Sequence, residues 1–365
     1  MLVDSRIIKS DENGYYFYER TYFAYFAARE IRRKYIEEGD YSQFNYAMEY
    51  AYTGLNADIL LFVTYISDNL NMIRMIMNRA EQSVSKWEEF SLEPIGIPYL
   101  NSPAREIIKP VEEGDREKEE QQHIEAEKAE TQAIALSNDS SIFDGESEEI
   151  SFIQEMIRAI SIMTLISRIL PSFEHLMHKS EKDKCVDLIY TMPLRIFNVW
   201  AKEVDSVIPE LVYEIKAFQE WEYRKDRLDL EPVSDDDALR YLRWESMSLL
   251  LELMHVAIVN STRDNTWEFL DKYNYHSAQT FGIEHLMSLG KRNSVDKFIT
   301  EAERLFKDIK PSVGKEMVQR VAHNFIVTSR DIKYNEISRL NAKLFSDQLK
   351  TSRLLIEQEK NKPKQ

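Results

Sequence analysis

Apolar residues recur at helical spacing along most of this chain. Ala24, Ala27, Ala28, Ile31 and Tyr35 fall at i, i+3, i+4, i+7 and i+11, which is one face of a helix over about residues 19–38. The three alanines on that face would let a neighbouring helix approach closely. Tyr22 and Phe26 form an i, i+4 pair on an adjacent face. Further helices are predicted at about 41–53, 56–66 and 69–87, and Pro94, Pro98 and Pro103 end this first block. Farther along, Ile153, Met156, Ile157, Ile160, Met163 and Ser167 trace one helical face. Helices over Asp183–Lys202 and Val204–Trp221 come next, with Pro193 and Pro209 as kinks or boundaries. Ala238–Asn260 contains SLLLELMHVAIV, apolar nearly all round, and reads as a central buried helix. The clearest period is Val295, Phe298, Ile299, Ala302, Leu305, Phe306 and Ile309; Pro311 stops that helix and Ser312 can cap the next. One segment breaks the helical pattern. SRIIKS and YYFY flank DENG, where Asn13-Gly14 is a turn signal, so residues 5–18 are predicted to form a β-hairpin. No fixed-period repeat accompanies these helices, so a regular solenoid is not expected.

The expected fold is therefore all-α: an irregular helical array in two blocks with a small N-terminal hairpin. Composition refines this. In 365 residues there are only 9 Gly and 10 Pro, leaving long stretches free to be helical, and 43% apolar residues suffice for a packed core. The net charge of −16 is concentrated, because 14 acidic and 3 basic residues fall between Glu112 and Glu149. Residues 101–150 thus read as an acidic, partly disordered linker between a block at 1–100 and a C-terminal helical domain at 151–365. A surface this acidic argues against general nucleic-acid binding, which needs a cationic footprint. Lys333–Gln365, with 8 basic and 4 acidic residues, reads as a solvated terminal helix. The single cysteine, Cys185, leaves no intrachain disulfide and suits a reducing cytoplasm. The richest apolar run, Met156–Leu170, is broken by Arg158 and Arg168, so no membrane span is expected. The N-terminus lacks a signal-peptide core.

No complete catalytic motif is present. The Gly-Lys pairs Gly290-Lys291 and Gly314-Lys315 lack both the preceding glycine and the following Ser or Thr of a phosphate-binding loop. Glu-x-x-His, the spacing of di-iron helical sites, occurs at Glu120/His123 and at Glu252/His255. The first lies in the solvated acidic run, and the second reads as a hydrogen-bonded core histidine on an apolar helix. His175 and His178, beside Glu174, read as helix-end residues. No metal, cofactor or catalytic site is expected, and Cys185 reads as a buried small hydrophobe. The enzymatic alternative is a ribonuclease of the all-helical HEPN kind, which uses an Arg, then four to six residues, then a His; Arg168-Ile-Leu-Pro-Ser-Phe-Glu-His175, with six residues between, has that spacing. Ile169 stands where a polar residue is usual there, and Pro171 is expected to interrupt the helix. An unrelated helical scaffold is the other alternative.

One segment is more specific. Ile7-Ile8, Gly14-Tyr15 and the run Phe17-Tyr18-Glu19-Arg20-Thr21-Tyr22-Phe23-Ala24-Tyr25-Phe26-Ala27-Ala28 resemble a signature of NACHT-type STAND ATPases. There a winged-helix hairpin is followed by Phe-x-His-x-(Ser/Thr)-Phe-x-Glu-Tyr-Phe-Ala-Ala at the opening of a helical region. Phe17, Thr21, Tyr25, Phe26, Ala27 and Ala28 match, and Tyr22 is conservative. Glu19 replaces the usual His and Ala24 the usual Glu, so a His–Glu contact at the helix start is not implied. The run Asn56–Val63 is similar to the stretch just after the signature in bacterial members. Phe325–Tyr334 is similar, more loosely, to their closing stretch; the strong match covers residues 5–66.

The resemblance implies a C-terminal sensing or regulatory region, with the chain beginning where the switch ATPase would have ended. Its implied partners are a P-loop ATPase module, in cis or in trans, and a phage or other protein trigger. In such a protein the aromatics around the hairpin would meet the rest of the winged helix. Tyr15, Phe17, Tyr22, Tyr25 and Phe26 are thus the candidate interaction surface.

Overall fold

In the computed structural model the described residues are 7–11, 14–17, 19–67, 69–92, 96–101, 151–225, 234–263, 266, 270, 278–292, 294–310, 312–329 and 332–345. The acidic stretch predicted as a linker lies outside them from residue 102 onward, and the terminal stretch beyond Phe345 lies outside as well. The fold is all-α with one short hairpin. Two compact units emerge. One comprises Met1–Glu89, Ile142–Ile196 and Val256–Tyr273; the other comprises Phe90–Ser141, Phe197–His255 and Asn274–Gln365.

In the first unit, β1 (Ile8–Asp11) pairs antiparallel with β2 (Gly14–Phe17) in the register Ile8–Phe17, Lys9–Tyr16, Ser10–Tyr15 and Asp11–Gly14. That register pairs Asp11 with Gly14 and so puts Gly14 in the strand. α1 (Arg20–Arg33) comes next, and its Ala24, Ala28 and Ile31 are buried. It packs on α3 (Gly54–Ile66), and an Arg20–Asp58 ion pair of 3.1 Å joins the two. The close packing rests on the absence of any side chain beyond Cβ at Ala24 and Ala28. A π-helical turn, Lys34–Glu38, extends α1 and ends at Gly39, whose φ of 66° a residue with a Cβ rarely adopts.

α2 (Ser42–Glu49) and α4 (Leu70–Val84) complete the N-terminal set. The Thr53 hydroxyl accepts the Asn56 N–H at the start of α3, and the Asn69 side-chain oxygen Oδ1 accepts from the N–H groups of Asn71 and Met72 at the start of α4. α5 (Phe152–Phe173) begins at a capping box formed by Ser151 and Gln154 and packs on α3 and α4. Arg158 of α5 donates to Glu49 at 2.6 Å, and Glu49 also pairs with Arg79 of α4.

α5 continues through Pro171, contrary to the interruption expected there. α6 (Lys179–Ser206) likewise runs unbroken through Pro193. Both prolines are buried, beside Leu170, Met192 and Leu194, so packing outweighs the roughly 3 kcal/mol that an interior proline costs. α7 (Ile208–Lys225) begins one residue before Pro209, where a proline is tolerated. By length and hydropathy the stretch Phe152–Leu176 could cross a bilayer, but Ala159, Ile162, Ile166, Ile169 and Leu170 are buried within the protein.

In the second unit α8 (Asp235–Ser261) contributes its residues up to His255. Its apolar centre is less enclosed than expected: Leu250, Leu253 and Met254 are buried, whereas Glu252 and His255 are exposed. α9 (Ala278–Lys291), α10 (Val295–Asp308) and α11 (Ser312–Thr328) pack on one another, and α12 (Tyr334–Leu344) lies against α10 and α11. Ser312 is the first residue of α11, not its cap. α12 buries Ile337, Leu340 and Leu344, so this part of the C-terminal stretch is core and not the solvated helix its charge suggested.

Candidate functional site

The aromatic positions read as an interaction surface gather around the N-terminal half of α1. Phe17, at the end of β2, stacks on Phe26 with ring centroids 5.5 Å apart and meets Phe23 edge-on at 5.7 Å. Tyr25 meets Phe26 edge-on at 5.4 Å and Phe62 of α3 at 5.8 Å. These offset and edge-to-face contacts suit the quadrupoles of the rings. They leave Phe17, Tyr25 and Phe26 half-buried, as the glue between hairpin, α1 and α3. Tyr22 and Phe23 are 38% and 41% exposed, so they form the solvent-facing part of the cluster. The Tyr15 side chain lies outside the described residues, although its backbone pairs with Ser10.

Sequence reasoning missed two members. Phe23 was hidden because the face count centred on the alanines, and Phe62 because nothing in the pattern says which helix α1 meets. It also missed a second aromatic edge on the same unit. Tyr46 and Tyr50 lie 4.4 Å apart and Tyr50 and Tyr52 5.8 Å apart, while Tyr41 packs on Tyr35 at 4.6 Å. Tyr41 and Tyr46 are exposed. The run Tyr41 to Tyr52 was itself the only signal available.

Of the alternative catalytic pair, Arg168 is half-buried on α5, and His175 is exposed in the single turn Glu174–Leu176 beyond the end of that helix. Among the described residues no hydrogen bond or ion pair joins them, and Glu174 pairs with Lys182. No group of three His, Cys, Asp or Glu side chains that could hold a metal occurs among the described residues.

Cys185 is completely buried on α6, with its Sγ 3.8 Å from the Ile166 carbonyl oxygen. Burial pushes its thiol up to about 12, so almost none is thiolate at neutral pH. We expect the native chain to be silent toward a disulfide reagent such as DTNB at neutral pH, and to react at the rate of a free thiol once denatured. Rapid labelling of the native chain would contradict the packing of α5 against α6 around this thiol.

The second unit holds a polar network that the sequence did not reveal. Arg243 of α8 and Glu316 of α11 form a buried ion pair of 2.5 Å, and Arg320 pairs with the same carboxylate at 2.9 Å. Arg243 Nε donates to the Leu100 carbonyl at 3.1 Å, and the Tyr99 hydroxyl lies 2.9 Å from Ser246 Oγ. Burial pushes the Tyr99 hydroxyl up to about 12, so it stays neutral and able to donate. These contacts fasten the turn Pro98–Asn101 onto α8. Comparison with protein families, with characterised proteins and with solved structures finds no match to this chain.

Proposed function

We propose that this chain is the helical sensing and regulatory region of a NACHT-type STAND ATPase. In this reading it is a non-catalytic protein-interaction region, acting in the cytoplasm on a P-loop ATPase module supplied in cis or in trans. Its trigger would be a protein, such as a phage product in bacterial defence. One observation carries the reading. The stretch that resembles the family signature folds as a single piece, a hairpin whose last strand residue, Phe17, stacks on Phe26 of the following helix. The signature's aromatic positions and its second alanine thereby have a physical reason. Ala28 is fully buried on α1, which packs on α3, and the rings clamp the hairpin.

The same helix leaves Tyr22 and Phe23 in solvent, where a covering domain would find an apolar foothold. The test pairs the chain with an ATPase encoded immediately upstream, if its final domain is a winged helix. Tyr22→Ser is expected to weaken co-purification with that ATPase at least tenfold while the isolated chain keeps its melting temperature. Phe26→Ser, by contrast, is expected to lower the melting temperature, because Phe26 joins the hairpin to α1. Undiminished co-purification of Tyr22→Ser would remove this surface from the proposal. An upstream gene without a Walker-type ATPase would remove the proposal itself.

A further inference from the structure

The tyrosine edge of the first unit sets two exposed phenols against each other. Tyr46 stands on α2 and Tyr50 ends that helix one turn later, with the Tyr50 N–H donating to the Tyr46 carbonyl at 3.0 Å. Their ring centroids are 4.4 Å apart and the ring planes are tilted by 34°. Tyr46 is 59% exposed and Tyr50 36%, so an oxidant in solution reaches both rings. Two phenols joined through their ortho carbons have nearly this centroid separation, so coupling asks the rings to turn more than to approach.

The neighbouring tyrosines are poorer partners. Tyr41 meets Tyr35 at 4.6 Å, but Tyr35 is buried and its hydroxyl donates to Met75 Sδ at 3.3 Å. Tyr52 is nearer to Tyr50 along the chain, yet its ring is farther away, at 5.8 Å, and half-buried. Tyr65, Tyr213 and Tyr334 are exposed, but among the described residues no second tyrosine ring stands against any of them. A thiol at the surface would reduce a tyrosyl radical before it coupled, and the single cysteine, Cys185, is completely buried.

We propose that Tyr46 and Tyr50 form a site of oxidative modification, at which peroxide-driven oxidation of the chain ends in an intrachain dityrosine. Each phenol gives up one electron and one proton. The two phenoxyl radicals join ortho carbon to ortho carbon, and the hydrogen on each joined carbon moves to its phenolic oxygen, restoring both phenols. Two hydrogen atoms leave in all, and one hydrogen peroxide, acting through a haem peroxidase, takes them up as two waters. The product is a carbon–carbon staple across the last turn of α2, which no thiol reductant reverses. It needs nothing from the sensing role proposed for the chain. At micromolar protein this coupling outruns coupling between molecules, because the neighbouring ring stands at an effective concentration that a second chain does not reach.

The test treats the folded full chain, kept dilute, with a haem peroxidase and limiting hydrogen peroxide. Dityrosine fluorescence is read on the monomer after a denaturing gel, and peptide mass spectrometry places the link by its loss of two hydrogens. The expected dominant link joins Tyr46 to Tyr50. Tyr46→Phe and Tyr50→Phe keep the rings and should each lower the monomer's dityrosine signal about fivefold or more. Tyr41→Phe and Tyr52→Phe should leave it unchanged. A signal that survives Tyr46→Phe, a dominant link at any other pair, Tyr50 with Tyr52 included, or fluorescence confined to covalent dimers overturns the proposal. Should a variant fail to fold, the map of the wild-type chain decides alone.

Discussion

Phe298→Ala is expected to cost about 3–5 kcal/mol of stability, the range for deleting a fully buried phenylalanine. Phe298 is 0% exposed on α10, and its ring stacks on Phe325 of α11 with centroids 3.8 Å apart. It also lies against Gly290 of α9, where an added Cβ would meet both Phe298 and Phe325 at 3.4 Å. One ring of α10 therefore touches two further helices, α9 and α11. Its removal opens a cavity that none of them can close without shifting the other two. The ring pair adds about 0.5–1.5 kcal/mol beyond area burial.

Phe306 provides the control. It is half-buried on the same helix, with Lys315 over its ring, so Phe306→Ala should cost clearly less. Urea unfolding followed by circular dichroism measures both variants. A fall in the midpoint with an unchanged slope is the expected signature for Phe298→Ala. A loss below about 1 kcal/mol would mean that α9, α10 and α11 do not share this core, since cavities of that kind do not come so cheaply.

That helix was legible in the sequence because its polar and apolar faces separate cleanly. Of the positions in its apolar stripe, Phe298, Ile299, Ala302 and Leu305 are indeed buried. α1 was legible for the same reason, and the hairpin because an Asn-Gly pair sat between two apolar runs. α9 was not. Its sequence, AQTFGIEHLMSLGK, buries Ile283, Leu286, Met287 and Leu289 among polar neighbours that are themselves buried, so no clean stripe appears. The continuation of α5 and α6 through Pro171 and Pro193 was hidden because a local rule gave way to burial that only the folded chain supplies.

The candidate surface was legible in part. The aromatic run flagged the helix on which these rings gather, but only packing shows that Phe17 and Phe26 face each other while Tyr22 faces solvent. The Arg243 network was invisible. Arg240 and Arg243 stand one turn apart with similar neighbours in sequence, yet Arg243 is buried and Arg240 is half-exposed near Asp237. Which arginine is enclosed depends on Leu100 and Glu316, distant along the chain.

Glu316→Ala should therefore be among the most damaging single changes in this protein, with an expected loss of about 3–5 kcal/mol. The substitution removes the one carboxylate that, among the described residues, touches both guanidiniums, and Arg243 cannot escape to solvent. The cost is not the worth of a salt bridge. A buried cation, Arg243, and a partly buried one, Arg320, attract one anion strongly, but all three groups gave up hydration to meet, and these terms nearly cancel. What the single change exposes is the desolvation that Glu316 had been offsetting.

The discriminating variant removes the charges together. Arg243→Met, Glu316→Leu and Arg320→Met in one chain should leave stability within about 1 kcal/mol of the parent, or raise it, because matched apolar side chains can fill the same space without that penalty. Non-additivity of this kind is expected where three residues act as one unit. Trp244, stacked on Arg320, provides a local fluorescence probe for the comparison. If Glu316→Ala proves mild and the triple variant severe, the network stabilises the unit through direct attraction, and desolvation is not what Glu316 offsets.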